Sequence, residues 1–351
     1  MAGEEDEMER HRRSFLKVVG AIGAAAAARV GLSTPSAMAA PGSGSARTAP
    51  RGLARGLTLL TMRQGGADRL GVKTRRGVLD VAAAAPLLRM TAPTTMDELL
   101  HREQGAALNA LVDAALRSGG AVQRAFLAES AIEYGPLVAR PEKIVCVGLN
   151  YRRHALEVHM PIPKQPVLFN KYNNALNRHN GTIKLPVAMA NKFDHEVELV
   201  IVMGREARNV SEADAHSYVA GYATGNDFTA RDLQLETGGQ WMIGKTPDQF
   251  APLGPHLVTA DQVDPDHLEI ECRVNGETRQ SSSTRDFIFN TRQVISYISR
   301  FITLRPGDVI FTGTPEGVIQ GKPPEKRVWL KPGDKIACSV QKLGELKFDL
   351  V

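Results

Sequence analysis

Cysteine is scarce in this chain. Cys146, Cys272 and Cys338 are the three in 351 residues, far apart and odd in number. That excludes a disulfide framework and a paired metal motif. Each lies in an apolar, strand-like run, which reads as a buried free thiol. No long basic run is present, aromatic residues make up 5% of the chain, and the net charge of +5 is spread along it. Nucleic-acid recognition therefore has no electrostatic footprint. Long hydrophobic runs are missing too. The apolar stretch Val18–Ala28 falls well short of the roughly 20 residues that a spanning helix needs. What remains is ordinary for a soluble globular protein, with 43% hydrophobic and 23% charged residues. The length allows a sizeable core, in one large domain or a small one plus a large one.

The first 40 residues read differently from the rest. His11-Arg12-Arg13-Ser14-Phe15-Leu16-Lys17 precedes the weakly apolar run, and Ala37-Met38-Ala39 offers small residues at cleavage spacing. Paired arginines, a mild Ala/Gly-rich stretch and an A-x-A site resemble a twin-arginine export signal. The resemblance implies a bacterial protein working in the periplasm or outside the cell, with no membrane contact once the signal is removed. A non-functional leader would leave the protein in the cytoplasm. Residues 41–54, rich in Pro, Gly, Ser and Arg, follow as a linker.

The chemistry is organised around Asp194-His195-Glu196-Val197-Glu198-Leu199-Val200-Ile201-Val202-Met203. The run reads as one strand, apolar on both faces from Leu199 onward, as in a sheet covered on both sides. Alternation then sends Glu196 and Glu198, with Asp194, to the same face. Neighbouring carboxylates on a buried strand repel and lose hydration, and a divalent cation is the simplest compensation. All-oxygen ligation favours Mg²⁺ or Mn²⁺, with Ca²⁺ also compatible, over zinc. The alternative is a solvated glutamate pair on an edge strand.

Other segments supply candidate partners. Residues 55–138 read as a small N-terminal α+β domain of short strands and two helices, with Thr94 or Thr95 capping the first helix. Within 139–351, the strand Lys143–Val147 runs into a helix on which His154 and Glu157 lie three apart on one face. A carboxylate beside an imidazole suits a general base that activates water, although surface His-Glu pairs are common. A helix over Glu212–Ser217 precedes a strand from Val219 that ends at Gly225-Asn226-Asp227. Asp227 thereby becomes a third carboxylate beside Glu196 and Glu198. Arg231, three residues before Gln234, is a natural bidentate partner for a substrate carboxylate, or else a salt-bridge partner of Asp232 or another acid. Lys245 can steady an enolate or oxyanion beside such a site, or lie on the surface. The loop Thr312-Gly313-Thr314-Pro315-Glu316-Gly317 offers amides and hydroxyls that could hold a carboxylate.

Taken together, KIVCVGLNYRRHALE (143–157), DHEVELVIVMG (194–204), GYATGNDFTARDLQ (221–234), GQWMIGK (239–245), APLGP (251–255) and LRPGDVIFTGTPEGV (304–318) resemble the fumarylacetoacetate hydrolase family. The resemblance spans about residues 57–351. It implies an α+β fold: a mixed, β-roll-like catalytic domain preceded by the small N-terminal domain, usually as a homodimer. It implies Mg²⁺ or Mn²⁺ on Glu196, Glu198 and Asp227, and Lys245 stabilising an enolate. Arg231, Gln234 and Thr314 would contact substrate oxygens, and His154/Glu157 would activate water. The implied reaction is hydrolysis of a carbon–carbon bond in a β-diketo acid, of the acylpyruvate or fumarylpyruvate type. The family also holds isomerases, tautomerases and decarboxylases of 2-hydroxymuconate-type acids from aromatic-compound catabolism. From another class, an exported protein that binds metal or keto acid without catalysis is opposed by the intact site set. The chain departs from the usual family pattern at Ile319-Gln320-Gly321 and at the Thr-Pro-Asp that follows Lys245. Both flank the site and bear on substrate choice.

Overall fold

The structure is a computed structural model and describes residues 52–351. The export-type leader and most of the linker lie outside the described residues. The architecture is α+β and dominated by two open sheets, with no closed barrel among the described residues. A ten-stranded sheet is the frame. Its central strand, Val197–Met203, is buried at every residue. It pairs antiparallel with Val219–Asn226 on one side and with Val309–Phe311 on the other. Val309–Phe311 in turn pairs in parallel with Ile144–Gly148.

The alternation of the central strand sorts two cores. Val200 and Val202 pack with Leu59, Leu99, Leu108 and Val309. Leu199, Ile201 and Met203 face the other way, into a core with Ile270, Cys272, Cys338 and Phe348. The second group belongs to a five-stranded sheet built from Gly181–Ile183, Glu269–Val274, Glu277–Ser283, Lys335–Val340 and Gly344–Leu350. A strand covered on both sides explains why this run carries no polar residue after Glu198. The three cysteines are buried free thiols, as their apolar settings imply.

The N-terminal segment adds its strands to the same frame. Thr58–Gln64 pairs with Leu257–Thr259 and, along its full length, with Ala67–Thr74. Behind them, Met96–His101 begins where the Thr95 hydroxyl accepts the Glu98 amide at 3.1 Å. Gly105–Arg117 buries Leu108, Leu111, Val112 and Ala115 along one stripe. Asn275-Gly276 forms the hairpin turn joining Glu269–Val274 to Glu277–Ser283, both residues at positive φ (53° and 84°).

Two local expectations differ from the structure. Instead of a helix over Glu212–Ser217, there is one 3₁₀ turn at Ala215–Tyr218, because Ser211 and Asp214 bond to each other and fold the segment into a tight turn. The run from Asp194 is also not one strand. Phe193–Asp194 pairs with Thr229–Ala230, and the central strand begins only at Val197. The parity argument therefore fails across His195-Glu196.

Candidate active site

The pairing of the two long strands creates the site. Val197 lies opposite Asn226, so the residues just beyond that pair, Glu196 and Asp227, are also neighbours. The Asp227 amide donates to the Glu196 carbonyl at 2.9 Å. Glu198 stands two residues along on the same face. One carboxylate oxygen from each of Glu196, Glu198 and Asp227 lies within 4.8 Å of the others, and all three residues are buried. The solvated edge-strand alternative is therefore set aside. Asp194 does not join them. Its oxygens accept the amides of Ile319 (2.8 Å) and Gln320 (3.0 Å) and the Arg231 Nε–H (2.9 Å).

Three buried cations surround the carboxylates. Arg231 donates through Nη2 to Glu196 at 2.5 Å and through Nη1 to Gln234 at 2.9 Å. It partners Asp194 and Glu196, not Asp232. Lys245 donates to Glu196 at 2.6 Å and to Asp227 at 2.8 Å. It reaches them from the four-residue helix Met242–Lys245, which lies against Arg231–Leu235 at Gly244. A Cβ there would come within 2.5 Å of the Gln234 nitrogen. Lys171, at the end of strand Val167–Lys171, is fully enclosed. It donates to the carbonyls of Phe228 (3.0 Å) and Phe250 (2.7 Å) and lies 2.6 Å from Asp227 Oδ1. Nothing local singles it out in the sequence beyond its place at the end of a strand-like run.

Four carboxylates thus face three cations, and the titration of the glutamates reflects the imbalance. Burial acts to raise Glu196, but Arg231 and Lys245 outweigh it and hold the carboxyl down at about 2. Glu198 is raised well above the usual range, first by burial and then by Asp227 and Glu196. Its one strong donor is the Gly313 amide, at 2.7 Å. Burial acts to lower Lys245, yet Asp227 and Glu196 keep it raised and charged. A proton on Glu198 balances the cluster, and a divalent cation could replace it. The donor set fits such an ion: three convergent oxygens and no sulfur. Among the described residues this is the one such cluster of acidic, histidine or cysteine side chains.

His154 is placed by the helix Arg152–Glu157 and is buried. Its Nδ1 lies 3.3 Å from Glu157 Oε2, while Glu157 Oε1 accepts the Gly317 amide at 2.9 Å. The 312–317 loop does hold carboxylates, but they are the protein's own, Glu198 and Glu157. Thr314 also lies here. Its hydroxyl donates to the Val197 carbonyl (3.0 Å) and accepts from Gln280 (2.8 Å), so a substrate oxygen must displace the Val197 bond to take its proton. One cavity of about 260 Å³ gathers Glu196, Glu198, Asp227, Arg231, Gln234, Lys245, His154 and Thr314. Of the site residues expected from the sequence, Glu157 alone does not line it and instead stands behind His154. The sequence did not reveal Lys171, Gln280 or the apolar residues of the same cavity.

Residues 143–351 match the sequence profile of the fumarylacetoacetate (FAA) hydrolase C-terminal region. A mitochondrial oxaloacetate tautomerase FAHD2A from Bos taurus is 44% identical over 271 residues, 76% of this chain and 82% of that protein. The fumarylacetoacetate hydrolase from psychrophilic Exiguobacterium antarcticum superposes with a TM-score of 0.69 at 31% identity, over 84% of this chain and 99% of that one. Fumarylpyruvate hydrolase from Pseudomonas aeruginosa, solved with Mn²⁺ and pyruvate, is 37% identical with a TM-score of 0.54, over 60% of this chain and 89% of that one.

Proposed function

The chain belongs to the fumarylacetoacetate hydrolase family, and on that premise we propose that it is a divalent-metal-dependent hydrolase cleaving a carbon–carbon bond in a β-diketo acid of the acylpyruvate or fumarylpyruvate type. The observation that carries this reading is the opening of His154, backed by Glu157, and of the carboxylate triad onto the same cavity. Glu196, Glu198 and Asp227 would hold Mg²⁺ or Mn²⁺, or Ca²⁺, and the ion would supply electrophilic stabilisation of charge on the keto-acid oxygens. Glu157, fixed by the Gly317 amide, orients His154 through Nδ1 and leaves Nε2 to take a proton from water. The water oxygen adds to the distal acyl carbon. The bond from that carbon to C3 then breaks, its electron pair passing to C3. A carboxylic acid and the pyruvate enol result, and protonation at C3 gives pyruvate. The Lys245 ammonium, kept charged by Asp227 and Glu196, stabilises the developing oxyanion. Arg231 has three of its five N–H donors committed, which leaves two for a substrate carboxylate, beside Gln234.

The likeness to the bovine oxaloacetate tautomerase supports a second reading, keto–enol exchange on a related keto acid. His154 would then move a proton at C3 and no bond between carbons would break. The two readings separate in one assay. The chain from residue 41 is given Mg²⁺ and acetylpyruvate, and pyruvate is followed by a coupled enzyme, with oxaloacetate enol decay read in parallel. Pyruvate release that stops with chelator supports hydrolysis. Enol decay without pyruvate from any acylpyruvate overturns it. The Arg12-Arg13 leader supports export, so residues 1–40 are read as the signal, 55–138 as the N-terminal domain and 139–351 as the catalytic domain of a homodimer. Fractionation of a bacterial host with N-terminal sequencing tests the signal.

A further inference from the structure

Beyond the polar cluster the cavity is lined mainly by apolar side chains, Leu149, Val158, Met160, Phe169, Leu235 and Trp241, with Gln320 as the one further polar side chain. Phe169 marks the border. The Lys245 ammonium lies 5.2 Å from its ring centroid, and Trp241 packs edge-on against it with centroids 5.4 Å apart. Trp241 in turn covers Gly148, where a Cβ would sit 2.6 Å from the indole ring. Ammonium, phenyl ring, indole and the chain at Gly148 are thus successive neighbours along one wall of the cavity.

The charges of the lining point the same way. Arg231 is bonded to Asp194, Glu196 and Gln234, and Lys245 to Glu196 and Asp227. His154 is engaged by Glu157. The segment that runs from Leu235 to Trp241 carries a single charged residue, Glu236, which is acidic and pairs with Lys192. A second carboxylate at the far end of a substrate would lose its hydration against Leu149, Val158, Met160 and Leu235 with no cation beside it other than those already engaged, Gln320 being the one uncharged polar side chain there.

Building on the diketo-acid reading, we infer that this wall makes the protein selective for keto acids whose distal group is uncharged and apolar, and that Leu149, Met160, Leu235 and Trp241 set the discrimination against dicarboxylates. Each methylene moved from water onto the wall contributes about 0.8 kcal/mol, or about fourfold in kcat/KM. Acetyl-, propionyl- and butyrylpyruvate should therefore climb by about fourfold per step. Succinylpyruvate, which replaces the terminal methyl of butyrylpyruvate by a carboxylate, should fall below it by at least about tenfold.

The test has a kinetic arm and a binding arm. The kinetic arm compares those four substrates in the wild type and in Leu235→Lys, a change at a half-exposed rim position that leaves the polar cluster untouched. The variant should raise succinylpyruvate relative to butyrylpyruvate by tenfold or more. The binding arm titrates 2-oxohexanoate and 2-oxoadipate into the Mg²⁺-loaded protein and follows Trp241 fluorescence, with Trp241→Phe as the control for Trp329. Tighter binding of 2-oxohexanoate supports the inference even if no acylpyruvate is cleaved, in which case only the hydrolase reading falls. Cleavage with succinylpyruvate equal or preferred, or tighter binding of 2-oxoadipate, overturns the inference and leaves hydrolysis standing. A flat chain-length series or an unmoved Leu235→Lys ratio also overturns it.

Discussion

Replacing Lys171 by Met removes one of the three cations that face four buried carboxylates. The lysine side chain is fully enclosed, and its partner Asp227 is 1% exposed, so water cannot take over the lost contact. Asp227 keeps Lys245 at 2.8 Å, but the carbonyls of Phe228 and Phe250 lose their donor. Breaking a buried pair from one side costs about 3–5 kcal/mol. Met fills most of the vacated volume, so the cavity term is small. In chelator, urea unfolding of Lys171→Met should therefore show a loss of about 3–5 kcal/mol. Added Mg²⁺ should recover part of it, because a divalent cation supplies charge to the same carboxylates and binds the folded state alone. The variant's gain from metal should exceed that of the wild type. A loss below about 1 kcal/mol in chelator would place Lys171 in the range of an exposed pair and refute the reasoning. An equal gain from metal in both proteins would show that Lys171 does not share the charge of the triad.

Two further perturbations probe the same cluster. Because burial and like charges raise Glu198, the metal-free protein carries a proton there at pH values where a free glutamate has lost it. Metal uptake must then release protons, and affinity must rise with pH until Glu198 ionises unaided. Calorimetric titration of Mg²⁺ in buffers of different ionisation enthalpy reads the proton count, and zero release at a pH just above the ordinary glutamate range would contradict the raised carboxyl. His154→Ala should cut pyruvate release by about 10²–10⁴-fold while sparing enol exchange, and equal loss of both would deny it the task of activating water.

The parts of the site that were legible in the sequence are those fixed by local geometry. A period of two put Glu196 and Glu198 on one face, and a spacing of three put His154 beside Glu157. Asp227 could be placed because its strand ends there. Asp194 was misplaced because the chain breaks between two pairings at His195-Glu196, an irregularity set by Thr229–Ala230, which lie 35 residues on. Lys171 was passed over because its three acceptors, at Asp227, Phe228 and Phe250, come from distant segments. The apolar wall is likewise assembled from four separate stretches around residues 149, 158–160, 169 and 235–241. For the fold, the strands of the N-terminal segment were visible. Their addition to the large sheet through Leu257–Thr259 rests on a pairing across some 200 residues that no local pattern encodes.

The most direct test of the triad is stoichiometric. Mn²⁺ is titrated by electron paramagnetic resonance into chelator-stripped protein, with and without pyruvate, and into Glu198→Gln. One tight Mn²⁺ per chain in the wild type, its spectrum altered by pyruvate and its binding lost in Glu198→Gln, is the result that Glu196, Glu198 and Asp227 require. Substoichiometric binding, or Mn²⁺ held equally by the Glu198→Gln variant, would contradict the metal site and every step built on it.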